Sequence, residues 1–111
     1  MASGIKGSSK PSGGTPTYAT TAIVTATATT TLILSVCNQA AAADTIKIAV
    51  LPASETATSG AIADQYYIEY DFSLNANTSF ERTGVTLESG ARLIVGSANG
   101  SCSFVAYGLE S

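Results

Sequence analysis

Four carboxylates, Glu69, Asp71, Glu81 and Glu88, form the densest group of residues in this 111-residue chain that could do chemistry. Paired carboxylates of this kind run glycoside hydrolysis, one as acid and the other as nucleophile or base. On a strand, Glu69 and Asp71 would share one face about 7 Å apart. The competing reading is a solvated strand face with Arg82 as a cross-strand partner, which is ordinary for exposed acids and is the one expected here. The rest of the catalytic inventory is thin. The chain has no histidine, so it offers no imidazole base and no histidine metal ligand. Its two cysteines lack CxxC spacing, and neither GxSxG nor a P-loop occurs. Asp44 and Asp64 stand singly in their loops, short of the ligand density a calcium site needs. No enzymatic activity, no cofactor and no metal are expected.

Binding chemistry has more to work with. Tyr66, Tyr67 and Tyr70 could form a platform for a sugar or a protein, since tyrosine joins an apolar ring face to a polar tip. Alternation predicts Tyr66 and Tyr70 inward and Tyr67 outward, which makes Tyr67 the contact residue. Cys37 and Cys102 are expected as buried small hydrophobes. A bridge between them would close a long loop and stabilise the fold, but no secretory signal argues for one. The sequons at Asn77 and Asn99 mean little in such a chain.

The elements that position these groups follow from composition and periodicity. The length suits one domain. Charged residues make up 12% of the chain and hydrophobic ones 45%, a pale surface suited to burial against other subunits. Net charge is −3 with five basic residues, Lys6, Lys10, Lys47, Arg82 and Arg92, too few for a stripe that neutralises phosphates, so nucleic acid is not an expected partner. No apolar run is long enough to span a bilayer, and the N-terminus lacks an export signal. A soluble protein off the membrane is expected.

Residues 1–17 contain Gly4, Gly7, Gly13, Gly14, Pro11 and Pro16, with Ile5 as the sole sizeable apolar side chain after Met1. This reads as a flexible or extended N-terminal arm that could lie across a neighbour or add a strand to a sheet edge. Residues 18–111 read as the folded domain. Runs over 18–24 and 30–38 are β-branched-rich and suggest a hairpin or a sheet-switching corner. Residues 39–44 read as a loop, 45–51 as a half-buried strand stopped by Pro52, and 52–65 as a long loop with a job of its own. The clearest alternation runs over 65–72. Short strands follow at 78–83, 85–87, 92–95 and 102–109, with Asn99-Gly100 as the strongest signal for a tight type I′ hairpin. The expectation is an all-β chain, a single antiparallel β-sandwich or jelly-roll of about 7–8 short strands.

Several runs carry a resemblance. Leu34-Ser35-Val36-Cys37-Asn38-Gln39, Ile46-Lys47-Ile48-Ala49-Val50, Tyr67-Ile68-Glu69-Tyr70-Asp71, Phe80-Glu81-Arg82-Thr83-Gly84-Val85-Thr86-Leu87 and the ending Ser103-Phe104-Val105-Ala106-Tyr107-Gly108-Leu109-Glu110 resemble small virion structural proteins of tailed bacteriophages of the cyanophage and marine type. The likeness covers residues 30–111, and family members also tend to begin with a Gly/Ser/Pro segment. Where they often start a strand with aromatic-Thr-Val-Pro, this chain reads Tyr18-Ala19-Thr20-Thr21. The resemblance implies a β-sandwich packed into the virion in many copies, by contacts and not by chemistry.

Two classes of function follow. The first is a virion structural part, foremost a capsid decoration or cement protein, a homo-oligomer with the trimer as one form, whose arm stitches neighbouring capsid subunits; tail, neck or baseplate and fibre are other addresses in this class. The second is a host-receptor module that binds carbohydrate at a fibre tip. Partner contacts are expected from the arm residues Ile5, Lys6, Lys10 and Pro11, and from Tyr18 and Tyr67.

Overall fold

The computed structural model describes residues 2–110. It contains eight strands: β1 Ala2–Ser9, β2 Val24–Thr25, β3 Thr30–Asn38, β4 Asp44–Leu51, β5 Tyr67–Leu74, β6 Ser79–Leu87, β7 Arg92–Ser97 and β8 Cys102–Glu110. A single 3-10 turn over Asp64–Tyr66 precedes β5. One sheet has the order β1-β8-β3-β6 and the other β2-β7-β4-β5. All pairings are antiparallel.

The order has a simple origin. β1 pairs β8, β2 pairs β7, β3 pairs β6 and β4 pairs β5, so the pairs nest around the 52–65 loop like one long hairpin. Rolling that hairpin up adds the contacts of β3 with β8 and of β4 with β7. The product is the double Greek key of an eight-stranded jelly roll, as the alternating strands led us to expect.

Alternation builds the core. Along β3, Thr30, Leu32, Leu34, Val36 and Asn38 are buried while the residues between them face out. They meet Ile46 and Ile48 of β4, Leu93 and Val95 of β7, and Phe104 and Ala106 of β8 between the sheets. At roughly 25 cal/mol per Å² of apolar area this layer is the main source of stability.

Several local expectations are corrected. The 18–24 run forms a strand only at Val24–Thr25, and the chain then turns into the other sheet, so this link is a corner and not a hairpin. Asn99-Gly100 also joins strands of opposite sheets. Gly100 has φ 73° but Asn99 is not left-handed, which excludes a type I′ turn. The runs at 78–83 and 85–87 are one strand, β6, bulged where Thr83 and Gly84 (φ 75°) oppose Ile33.

Residues 2–9, read from sequence as part of an arm, lie along β8 of the same chain. Backbone hydrogen bonds to β8 order a segment too poor in apolar side chains to order itself by burial. Gly7 makes the fit possible. A Cβ there would stand 1.8 Å from the Ile23 carbonyl oxygen, so only glycine lets β1 lie this close to the run entering β2. The two cysteines are free. Cys37 pairs with Ser103 and Asn38 with Cys102, so the two thiols sit on adjacent strands but face opposite sides of the sheet.

Candidate functional site

The outer faces of the two sheets differ, and that difference locates the candidate surfaces. On the β2-β7-β4-β5 sheet, Ala49, Leu51 and Ile94 point outward yet are fully buried, because the chain covers them with Tyr18 and Ile62 and with the flanks of Ala22, Ala57 and Tyr66. The 52–65 loop supplies Ile62 and Ala57 to this lid, and the run before β2 supplies Tyr18 and Ala22. Glu55 fastens it: its carboxylate accepts hydrogen bonds from the hydroxyls of Tyr18 (3.2 Å) and Tyr66 (3.3 Å) and from the Ala57 amide (2.9 Å). The Ala57 amide above all, with the two phenols and the Arg92 charge, holds the Glu55 carboxyl below its ordinary range despite some desolvation. Arg92 donates to the Glu55 carbonyl at 3.0 Å. Pro16 closes on Gly96, where a Cβ would stand 2.8 Å from the proline ring.

The β1-β8-β3-β6 sheet has no such cover. Ile5, Tyr107 and Ile33 stand in register across β1, β8 and β3, and directly opposed residues share a face. Ile5 is 73% exposed and Leu109, two positions further along the same face, is 46% exposed. Val105, half-buried, and Cys37, exposed, share this face. Glu81 accepts a hydrogen bond from the Tyr107 hydroxyl at 3.0 Å. That bond first, and then burial, raises the phenol above its ordinary value.

Among the expected contact residues, Ile5 is on this bare face. Lys6 is the unpaired residue of a bulge in β1 and makes a 3.7 Å ion pair with Glu110. Lys10 is exposed just beyond β1, and Pro11 is half-buried at a hollow of about 240 Å³ made with residues 12–16, Thr20, Val95 and Gly96. Tyr18 is 9% exposed and belongs to the lid, its hydroxyl taken by Glu55 and the Ala63 amide. Tyr67 is half-buried beside Tyr70.

Strand β5 departs from the alternation read in its sequence. Register slips leave Asp71 and Ile68 without partners on β4. Each bulge reverses the side on which the following residues fall. Tyr67 and Tyr70 therefore both face outward, opposite Ala49 and Lys47, and Tyr70 is 60% exposed where an inward position was expected. Asp71 has φ 55°, a left-handed conformation that a non-glycine residue keeps only where its surroundings hold it. Its carboxylate binds the Lys47 ammonium, and that ammonium lies 4.8 Å from the Tyr70 ring centre.

The four acids do not converge. Glu69 faces the other way and pairs with Arg82 at 2.7 Å, and the same two strands bring the rings of Phe72 and Phe80 to 4.5 Å, tilted by 34°. Glu81 is bound by Tyr107, and Glu88 accepts the Ala53 amide at 2.9 Å. Asp44 is the group that sequence reasoning undervalued. Its buried carboxylate accepts the amides of Thr45 (2.8 Å), Asn99 (3.0 Å) and Ser101 (3.3 Å) and the Ser101 hydroxyl (2.8 Å). Burial pushes this carboxyl up, but the Ser101 hydroxyl and the three amides together outweigh it, so it titrates below 3.8. Oxygens ringed by N–H and O–H donors suit an anion at rest and have no room for a cation. Among the described residues no group of three or more His, Cys, Asp or Glu is placed to hold a metal.

No helix among the described residues is long and apolar enough to cross a membrane. No family model, no curated protein and no solved structure matches this chain.

Proposed function

We propose that this protein is a non-enzymatic structural part that packs into an assembly through the outer face of the β1-β8-β3-β6 sheet. The observation that carries the reading is the asymmetry at the centres of the faces: Ala49, Leu51 and Ile94 of one sheet are lidded by the chain itself, leaving Tyr70 exposed only at its edge, whereas Ile5 and Leu109 on the other sheet are bare. Contiguous exposed apolar surface on a small domain marks a contact site more often than chance. The resemblance to phage virion proteins gives the specific address, a decoration or cement protein on a capsid, with tail or baseplate as the alternative.

The magnitudes fit an array. Four strands of about eight residues give a face of about 500 Å², so one docking event buries about 1,000 Å² in total, the lower limit for a specific contact. A single contact of that size is weak. Many copies on an ordered lattice gain avidity, which is how a cement protein stabilises a shell.

Cys37 is a built-in reporter because it lies on the bare face, whereas Cys102 is buried. A thiol-reactive probe should modify Cys37 quickly in the free chain and slowly in the assembled particle, with Cys102 inert in both until unfolding. Equal Cys37 reactivity in both states would refute docking by this face.

A further inference from the structure

We propose that the hollow between the lid and β5, lined by Asp64, Tyr67 and Tyr70, is a binding site for a neutral saccharide. Its volume is about 380 Å³, within the range of small-ligand sites. The two rings stand nearly perpendicular, 5.0 Å apart. Tyr70 is held by Tyr67 and by the Lys47 ammonium, which is itself fixed by left-handed Asp71. Although held this way, Tyr70 stays 60% exposed. A bulged, conformationally costly strand thus presents a fixed aromatic ring to solvent.

The ligand class follows from what the hollow offers. A pyranose has an apolar C–H face that can lie on a tyrosine ring and a rim of hydroxyls that needs acceptors and donors. Asp64 supplies the acceptor. Tyr67 keeps its phenolic proton, since burial first and the neighbouring Tyr70 and Asp64 next raise it above its ordinary value. An anionic ligand meets Asp64 in a chain of net charge −3. A cation at the Tyr70 ring would be repelled by the Lys47 ammonium 4.8 Å from its centre, which a neutral sugar is not. An extended peptide that added to the free edge of β5 would meet a strand distorted by two bulges.

Position supports availability. The molecule is a slab, 38 × 31 × 18 Å, with this hollow on the outer side of one sheet and the bare apolar row on the outer side of the other. A copy docked by the row still presents the hollow to solvent, and the site does not depend on the docking reading.

The test is an amide NMR titration of the intact chain with maltotetraose, cellotetraose and chitotetraose in turn, at millimolar concentrations. At least one should produce saturable shifts concentrated at residues 64–71. Tyr70→Ala should weaken binding about tenfold, the scale of one lost aromatic contact, and Tyr70→Phe should retain it. Asp64→Asn, at an exposed position, should also weaken binding without altering the rest of the spectrum. No shift with any of the three sugars, shifts centred elsewhere, or equal affinity in Tyr70→Ala would each overturn the assignment.

Discussion

Asp44 ties the start of β4 to the corner between β7 and β8, its carboxylate accepting from residues 45, 99 and 101 and, at 3.8 Å, from the Cys102 thiol. Asn38 adds to the same junction, its amide donating to the carbonyls of Ala42 and Leu74 while its oxygen accepts the Ala40 amide. Replacing the carboxylate by an amide puts an NH₂ against amide donors, and Asp44→Asn should cost roughly 3 kcal/mol, the scale of hydrogen bonds to a buried charged group. The pH dependence has a definite sign. Because the Asp44 carboxyl titrates lower in the folded chain than its ordinary 3.8, its stabilisation is complete above that value and is lost as pH falls through the folded one. Urea unfolding of the two proteins at neutral pH and at successive acidic values should show the wild-type advantage shrinking below 3.8; a constant gap would contradict this. Nothing in the sequence marks Asp44 as special, since apart from the adjacent Thr45 its partners Asn99 and Ser101 lie more than fifty residues away in the chain and only the fold brings them together.

At the scale of elements, the pattern of strands was legible and their edges were not. β3 and β8 follow the period of two read in their residues, because each is central in its sheet and buries one clean face, whereas β4 alternates only up to Ile48, beyond which the lid also buries Ala49 and Leu51. The long edge strands β1, β5 and β6 all carry bulges, at Lys6, at Ile68 and Asp71, and at Thr83 and Gly84. An extra residue costs the sequence pattern its phase, which is why Tyr70 was read as inward. Edge bulges also obstruct strand addition from another chain, so association through faces is left as the open route. β1 depends on Gly7 in particular. Gly7→Ala should destabilise by roughly 1–3 kcal/mol through overpacking against the Ile23 carbonyl. Hydrogen exchange should then quicken along residues 2–9 while β3 and β4 stay protected. Unchanged protection of β1 would show that the segment is not held as described.

At the scale of the whole molecule, the jelly roll is a slab with one face lidded over its centre, one bare face and bulges in its long edge strands. The nested pairing makes most contacts long-range, the outermost joining Ala2 to Glu110, a topology that folds slowly and closes β1 onto β8 across nearly the full chain. The lid could not be read beforehand: the 52–65 loop is poor in large side chains, and its role rests on Glu55 meeting two tyrosines from separate segments. The resulting asymmetry is the basis for reading this protein as a repeated structural part. For the proposed place in a phage particle, the most direct test is the copy number of this chain in purified virions, by quantitative mass spectrometry against the major capsid protein. A number comparable with that of the capsid protein is the predicted result, and its absence from the particle would contradict the account.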